Sequence, residues 1–412
     1  MMNSKPLDSC IIGEKLLGPI MYEFCHRLYI AALVAAKHGN GALLFMSRGG
    51  MRLRVFYELY LEKNMLESPL PLHWFWTSRF AAIKMTFQDC PDYSLDCLAR
   101  EFANTPIPEA AQALLPNCAP LLHTIPNELS KVHASKDNLQ ALFSGDSAYS
   151  QALRKHFQEQ YALGHTYMSQ EFGSYQNLYL VDSGWFGSTL GSLICSCPEW
   201  NFRGLFFGRW NYRNYTPWYW NYITGLFLDA QGFAPGGLEN TLIEYHHLIE
   251  SPLEPPLPSA EYYIPGSAIC NAAIPHWEHL VRNPGMNDDF YRGILKYMQQ
   301  KQGKEYSQLR RETDQALKRL RRLIRYPSKT EYSALVVPDR SADFGKHILA
   351  PVLNREKPAT AAEAREMVMK SLWGPGEIAR VSGPFYRLWQ LGFTLGKRHR
   401  LPRKLLGKYY HA

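Results

Sequence analysis

NLYLVDSGWFGSTLGSLIC, residues 177–195, is the stretch on which the reading of this chain turns. A short apolar run, Leu178 to Val181, ends at an acid, Asp182. A loop of Ser183, Gly184, Trp185, Phe186, Gly187, Ser188 and Thr189 follows, and then Leu190, Leu193 and Ile194 recur at helical spacing. Strand, acid, glycine loop and helix start form the layout of an anion site in an α/β protein. Glycine lets the backbone turn back and approach an anion closely. The amides and dipole at a helix N-terminus favour negative charge there, and Ser183, Ser188 and Thr189 add hydroxyl donors. Asp182, at the carboxyl end of a strand, lies where open α/β sheets bind ligands. The same spacing fits an ordinary strand-to-helix turn with a capping serine, because a single glycine-rich turn is a weak signal.

Upstream, the pattern repeats. Leu16 to Lys37 carries a helical period that Gly39-Asn40-Gly41 stops. Ala42 to Met46 reads as a buried strand and runs into Ser47, Arg48, Gly49 and Gly50; helical spacing resumes from Met51 to Lys63. Pro71 to Thr77 reads as another strand, followed by Ser78 and Arg79. Residues 88–130 are rich in proline, cysteine and short helical runs, and Asp146 to Phe172 reads as a long helix, so a helical insertion is expected over about 88–172. Phe202 to Phe207 and Tyr222 to Leu228 are expected strands, and Gly236 to Ile249 an expected helix. Between the two strands lies an aromatic loop containing Arg209, Trp210, Trp218 and Trp220. Its composition suits stacking on a sugar and equally suits a hydrophobic lid packed on the core. PLEPPLP, 252–258, marks a boundary.

Strands alternating with helices predict an α/β domain over 1–252, with a mostly parallel, Rossmann-like sheet flanked by helices. A mainly helical C-terminal region over 253–412 is expected to follow, ending in a basic tail.

At 46% hydrophobic and 20% charged, the 412 residues can bury a large core. The formal charge of +8 is uneven: from Val381 onward there are seven Lys or Arg and no acid. Phe385, Leu388, Trp389 and Phe393 recur at helical spacing just before Lys397, Arg398, Arg400, Arg403, Lys404 and Lys408. An amphipathic aromatic helix beside a basic cluster suits peripheral contact with an anionic membrane, and a helix packed on the domain with solvated bases fits the same pattern. No nucleic-acid motif accompanies the charge, so no nucleic-acid partner is expected. The eight cysteines show no CxxC pair or accompanying His cluster and are expected to be buried, reduced thiols. No signal peptide or spanning segment is evident, which predicts a cytoplasmic protein, peripheral to the inner face of the cell membrane where the tail binds lipid.

If the sheet assembles as read, three features meet at strand carboxyl ends: the Ser47–Gly50 loop, the Ser78-Arg79 corner and the loop after Asp182. Two glycine loops and two arginines suit a ligand phosphorylated at both ends, with Arg48 and Arg79 bonding through charge-assisted contacts. Phosphoribosyl pyrophosphate fits. Its pyrophosphate is expected on Ser47, Arg48, Gly49, Gly50 and Arg79, and its 5-phosphate on Ser183, Gly184, Trp185, Gly187, Ser188 and Thr189. Asp182 would hold ribose hydroxyls between them, as the acid nearest C1, while the base for the acceptor hydroxyl is not identified. Mg²⁺ is expected on the donor pyrophosphate, without a dedicated protein metal site. Arg209, Trp210, Trp218 and Trp220 are the candidate acceptor contacts.

The chain resembles the phosphoribosyltransferase fold, whose strand, acids and Gly/Ser/Thr loop cup a 5-phosphate. It departs from the usual pattern in having Ser183 after Asp182 and Trp185-Phe186 in the loop. A closer resemblance covers residues 15–252: Gly18-Pro19, FMSRGG (45–50), TSR (77–79), VDSGWFGS (181–188) and ENTLIEYHHLIESP (239–252) occur in the same order. This series resembles the bacterial polysaccharide phosphoribosyltransferases of O-antigen and capsule gene clusters, often fused to a haloacid-dehalogenase-type phosphatase. The resemblance implies transfer of 5-phosphoribosyl to a hydroxyl of a lipid-linked glycan, the first step of ribofuranose addition. A phosphatase then removes the 5-phosphate; no DxDx[TV] motif is present, so a separate phosphatase is implied. The family commonly has an acid where Gly49 stands. Two other readings remain open: a nucleobase-type phosphoribosyltransferase, and a noncatalytic polysaccharide assembly protein.

Overall fold

Five apolar runs form five parallel strands: β1 (Gly41–Met46), β2 (Leu72–Phe75), β3 (Asn177–Trp185), β4 (Asn201–Trp210) and β5 (Ile223–Ala230). They lie in the order β2-β1-β3-β4-β5, and helices flank the sheet. The computed structural model describes residues 7–211, 216–230, 238–265, 274–303, 305–341 and 349–400. β1 is buried at every position, which is why it reads as an unbroken apolar run. Helix Gly49–Lys63 leads from β1 to β2, and helix Ser188–Ser196 from β3 to β4.

The order reverses between β1 and β3, the two strands whose following loops carry Ser47–Gly50 and Gly187–Thr189. In a doubly wound sheet this switch point opens the crevice in which ligands bind.

β3 is longer than its apolar run predicts. Ser183, Gly184 and Trp185 belong to the strand, and only Phe186-Gly187 makes the turn. The reason lies in β4, which continues alongside and pairs Asp182 with Phe206, Gly184 with Gly208 and Trp185 with Arg209. Beside β1 the pairing stops at Phe45–Val181. Asp182 is thus the first residue of β3 beyond its neighbour's last partner.

The insertion has its own core. Helices Pro91–Glu101, Ile107–Leu114 and Lys136–Ser144 pack Leu98, Ile107, Leu114, Leu139 and Leu142 around Tyr149 and Leu153 of helix Ala148–Phe172. Ser147 caps that long helix by accepting from the Ser150 amide. The main core, in contrast, is continuous from Ile12 to Trp373 and crosses the boundary expected near Pro252. Helices Asp289–Gln300 and Tyr306–Arg325 close on the N-terminal helix Gly18–Ala36, and ion pairs tie the two ends: Lys296 to Glu14 at 2.7 Å, Arg310 to buried Glu23 at 2.7 Å and buried Arg52 to Asp288 at 2.7 Å. The helix expected over 236–249 is two pieces, Leu238–Glu244 and His247–Glu250.

The cysteine expectation needs correction. Cys90 and Cys195 form a disulfide, with Cα atoms 6.3 Å apart, across 105 residues of sequence. No spacing rule links such distant residues; the end of helix Arg79–Thr86 and the helix after β3 bring them together.

No described helix is long and apolar enough to cross a membrane. The tail helix Tyr386–Arg400 seats Phe393 against Gly374, and Gln390 donates to the Pro327 and Pro375 carbonyls. Phe385 and Leu388 face solvent, 74% and 67% exposed. The side chains of Lys397, Arg398 and Arg400, and all of Arg403, Lys404 and Lys408, lie outside the described residues.

Candidate functional site

The amino end of helix Gly49–Lys63 presses directly on β3. A Cβ placed on Gly49 would lie 2.8 Å from Asp182 Oδ1 and 2.9 Å from Ser183 Oγ; one on Gly50 would lie 2.4 Å from the Val181 carbonyl oxygen. Only hydrogen fits there, so the side chain of an acid at 49 would displace Asp182. The SRGG sequence therefore brings the first loop and Asp182 into contact.

Ser47 and Arg48 form the turn from β1 into that helix, with Arg48 at φ 70°. The Ser47 amide donates to the Phe75 carbonyl and its hydroxyl to the Thr77 carbonyl, which joins the β1 and β2 loops. Arg48 points toward the C-terminal side of the crevice and pairs with Glu254 at 3.0 Å. Arg79 begins helix Arg79–Thr86, which Ser78 caps, and pairs with Glu101 of the insertion at 3.1 Å. The two predicted arginines thus attach to different walls.

Asp182 is half-buried between these parts. Loss of hydration pushes its carboxyl up to about 7, and the negative charges of Glu250 and Glu254 add to the rise. The Ser183 backbone amide and Arg48 oppose it. An acid that titrates near neutrality inside a crevice can hold or release a proton under working conditions.

Glu250 and Glu254 were not singled out from sequence, nor was His246. Glu250 accepts from the Trp185 indole N–H at 2.8 Å and lies 4.0 Å from His246 Nε2. His246 packs on the Trp185 ring, centroids 5.7 Å apart. The available signal was the i, i+4 spacing of His246 and Glu250 within ENTLIEYHHLIESP. Glu58 pairs with Arg54 and Arg282 at 2.7 Å each, and His73 Nε2 meets the Tyr175 hydroxyl at 2.9 Å, so neither is left as a base in the site.

The expected 5-phosphate residues divide between two settings. Ser183, Gly184 and Trp185 are strand residues, and Ser183 and Trp185 are buried. Gly187, at φ 75°, makes the left-handed turn that starts helix Ser188–Ser196. No side chain caps this helix, and the amides of its first turn have no partner within it. Ser188 is half-buried and Thr189 buried. The Ser188 carbonyl accepts from Tyr93 of the insertion at 3.0 Å, fixing the turn.

The aromatic loop folds back beside this turn: Phe186 lies 6.1 Å from Tyr219 and 6.2 Å from Trp220. Trp210 and Trp220 are buried, whereas Trp218 is 51% exposed. Arg209 binds both oxygens of Asp229, at 2.9 and 2.8 Å, and the Trp220 and Ile223 carbonyls. Its guanidinium thereby closes the ends of β4 and β5. Residues 212–215 of the loop lie outside the described residues.

The acids suit Mg²⁺: Asp182, Glu250 and Glu254 supply hard oxygen donors of the kind this ion takes. These acids are not drawn into a tight cage, since the one described group of three ligating atoms within 4.8 Å lies elsewhere, at His165, Cys197 and Glu199.

No protein-family model matches the chain, and no curated protein matches it.

Proposed function

We propose that the chain is a glycan phosphoribosyltransferase of phosphoribosyltransferase-like fold, taking phosphoribosyl pyrophosphate as donor and a hydroxyl of a lipid-linked surface glycan as acceptor. The observation that carries this reading is the meeting of two helix N-termini at one switch point, those of Gly49–Lys63 and Ser188–Ser196, with Asp182 between them. Two separated anion sites with a carboxyl in the middle match a pentose phosphorylated at both ends.

In this reading the turn Gly187–Thr189 holds the 5-phosphate through first-turn amides and the Ser188 and Thr189 hydroxyls. The Ser47–Gly50 turn and Arg48 hold the pyrophosphate, Arg48 exchanging Glu254 for the ligand. Arg79 would likewise leave Glu101 to reach it. Asp182, Glu250 and Glu254 would help hold Mg²⁺ with the donor phosphates, and the ion would supply charge neutralisation of the leaving group. The C1–oxygen bond to pyrophosphate breaks and a bond from C1 to the acceptor oxygen forms. The acceptor proton passes to Asp182, whose carboxyl titrates near 7 and which is otherwise positioned to hold the ribose hydroxyls. Trp218, the exposed ring among the predicted acceptor contacts, is the surface on which a sugar would stack. The product keeps its 5-phosphate, so a separate phosphatase completes the ribofuranosyl unit.

Two measurements test this. Isothermal titration with phosphoribosyl pyrophosphate and Mg²⁺ should give heat that Ser188→Ala with Thr189→Ala weakens at least tenfold; no heat at millimolar donor refutes the donor assignment. Mass spectrometry of a synthetic glycan incubated with donor and protein should show a phosphoribosyl adduct. Donor binding without any adduct would favour a noncatalytic role.

A further inference from the structure

Away from the crevice, three segments bring metal-binding side chains together. His165 lies on helix Ala148–Phe172; Cys197 ends helix Ser188–Ser196; Glu199 follows two residues later. A ring nitrogen of His165, Cys197 Sγ and a Glu199 carboxylate oxygen all lie within 4.8 Å of one another. A fourth group stands beside them: Asp89 Oδ2 is 3.9 Å from His165 Nε2 and accepts from the Ser196 hydroxyl.

Cys197 is buried and belongs to no disulfide. A buried sulfur, an imidazole and a carboxylate this close together offer three different donors to a single cation. Nitrogen, sulfur and oxygen donors together select a borderline-soft ion, since Mg²⁺ and Ca²⁺ take oxygen ligands. Zinc accepts this set in tetrahedral geometry at about 2.0–2.3 Å per bond. Its ligands then lie about 3.5 Å apart, within reach of small side-chain movements because Glu199 is exposed.

We infer that His165, Cys197 and Glu199 form a zinc site that ties helix Ala148–Phe172 to the end of helix Ser188–Ser196, with Asp89 beside it. The second helix begins at the glycine turn beside Asp182, so the metal fixes the far end of the element that shapes the crevice. The Cys90–Cys195 disulfide lies in the same corner, one residue from Asp89 and two from Cys197. The corner thus carries two kinds of cross-link, one of which persists under reducing conditions.

The test uses the full chain, dialysed against metal-free buffer and titrated with Co²⁺, a spectroscopic stand-in for zinc. One Co²⁺ per chain is expected, with a thiolate-to-cobalt charge-transfer band that added Zn²⁺ abolishes. Cys197→Ser should remove the band, whereas Cys10→Ser should leave it. Glu199→Ala, which alters an exposed side chain, should weaken Co²⁺ affinity tenfold or more and covers the case in which Cys197→Ser fails to fold. No band in the unaltered protein, a band that survives Cys197→Ser, or unchanged affinity in Glu199→Ala overturns the site.

Discussion

Asp182→Asn should make this protein more stable at alkaline pH and leave its stability at acid pH nearly unchanged. In the folded chain the carboxyl is raised from its ordinary 3.8 to about 7, mainly by lost hydration. Below 3.8 it is protonated in both states and contributes no penalty. Between 3.8 and 7 the folded state holds a proton that the unfolded state has released, so stability falls as pH rises. Above 7 the full penalty is present. At about 1.4 kcal/mol per tenfold in the proton equilibrium, the gap amounts to an upper bound of about 4 kcal/mol. Half-burial of the side chain and relaxation around it reduce this, and about 2 kcal/mol is the expected observable. Asparagine keeps the shape and cannot ionise. Thermal melts of both proteins at pH 4, 6 and 8 read the effect: the variant should gain a Tm advantage of several degrees by pH 8 and none at pH 4. Parallel curves for the two proteins across that range would refute the account of Asp182 as a desolvated acid. The same variant should lose most phosphoribosyl transfer, if transfer is the activity.

Three further outcomes follow from the packing. Gly49→Ala places a methyl 2.8 Å from Asp182 Oδ1, so it should cost about 1–3 kcal/mol in a denaturant melt and abolish the difference between the Asp182 forms. Cys90→Ser opens a cross-link spanning 105 residues and should lower stability by about 2–4 kcal/mol under oxidising conditions, with no effect once the reference protein is reduced. Full-length protein should float with anionic vesicles at low salt, driven by exposed Phe385 and Leu388 and the basic residues after Gly396, whereas a chain truncated after Gly383 should not. Full-length protein left at the bottom of the gradient would end the membrane reading of the tail.

Glycines and apolar runs made the architecture readable. β1 is one continuous apolar run closed by Gly49-Gly50, and helix Ser188–Ser196 begins where Gly187 predicts it. Such features are local: a buried strand needs apolar residues along its length, and a left-handed turn needs glycine. The length of β3 was not local. Ser183-Gly184 carries turn chemistry, yet β4 offers the strand a partner as far as Trp185, and hydrogen bonding to that neighbour overrides the propensity. Trp220 and Arg209 show the same limit: residues suited to a sugar are equally suited to closing the ends of β4 and β5, and the position of Asp229 decided the use of Arg209.

By itself the sequence determined that an acid-bearing apolar run and two glycine turns belong to strand–turn–helix units of an α/β sheet, because period, acid and glycine are properties of single segments. Only the tertiary structure decided that Gly49 touches Asp182, that burial, with Glu250 and Glu254, raises its proton affinity, that Arg48 and Arg79 attach to different walls, and that Cys90 meets Cys195. Those are distances between segments tens to hundreds of residues apart, and packing of the whole core sets them.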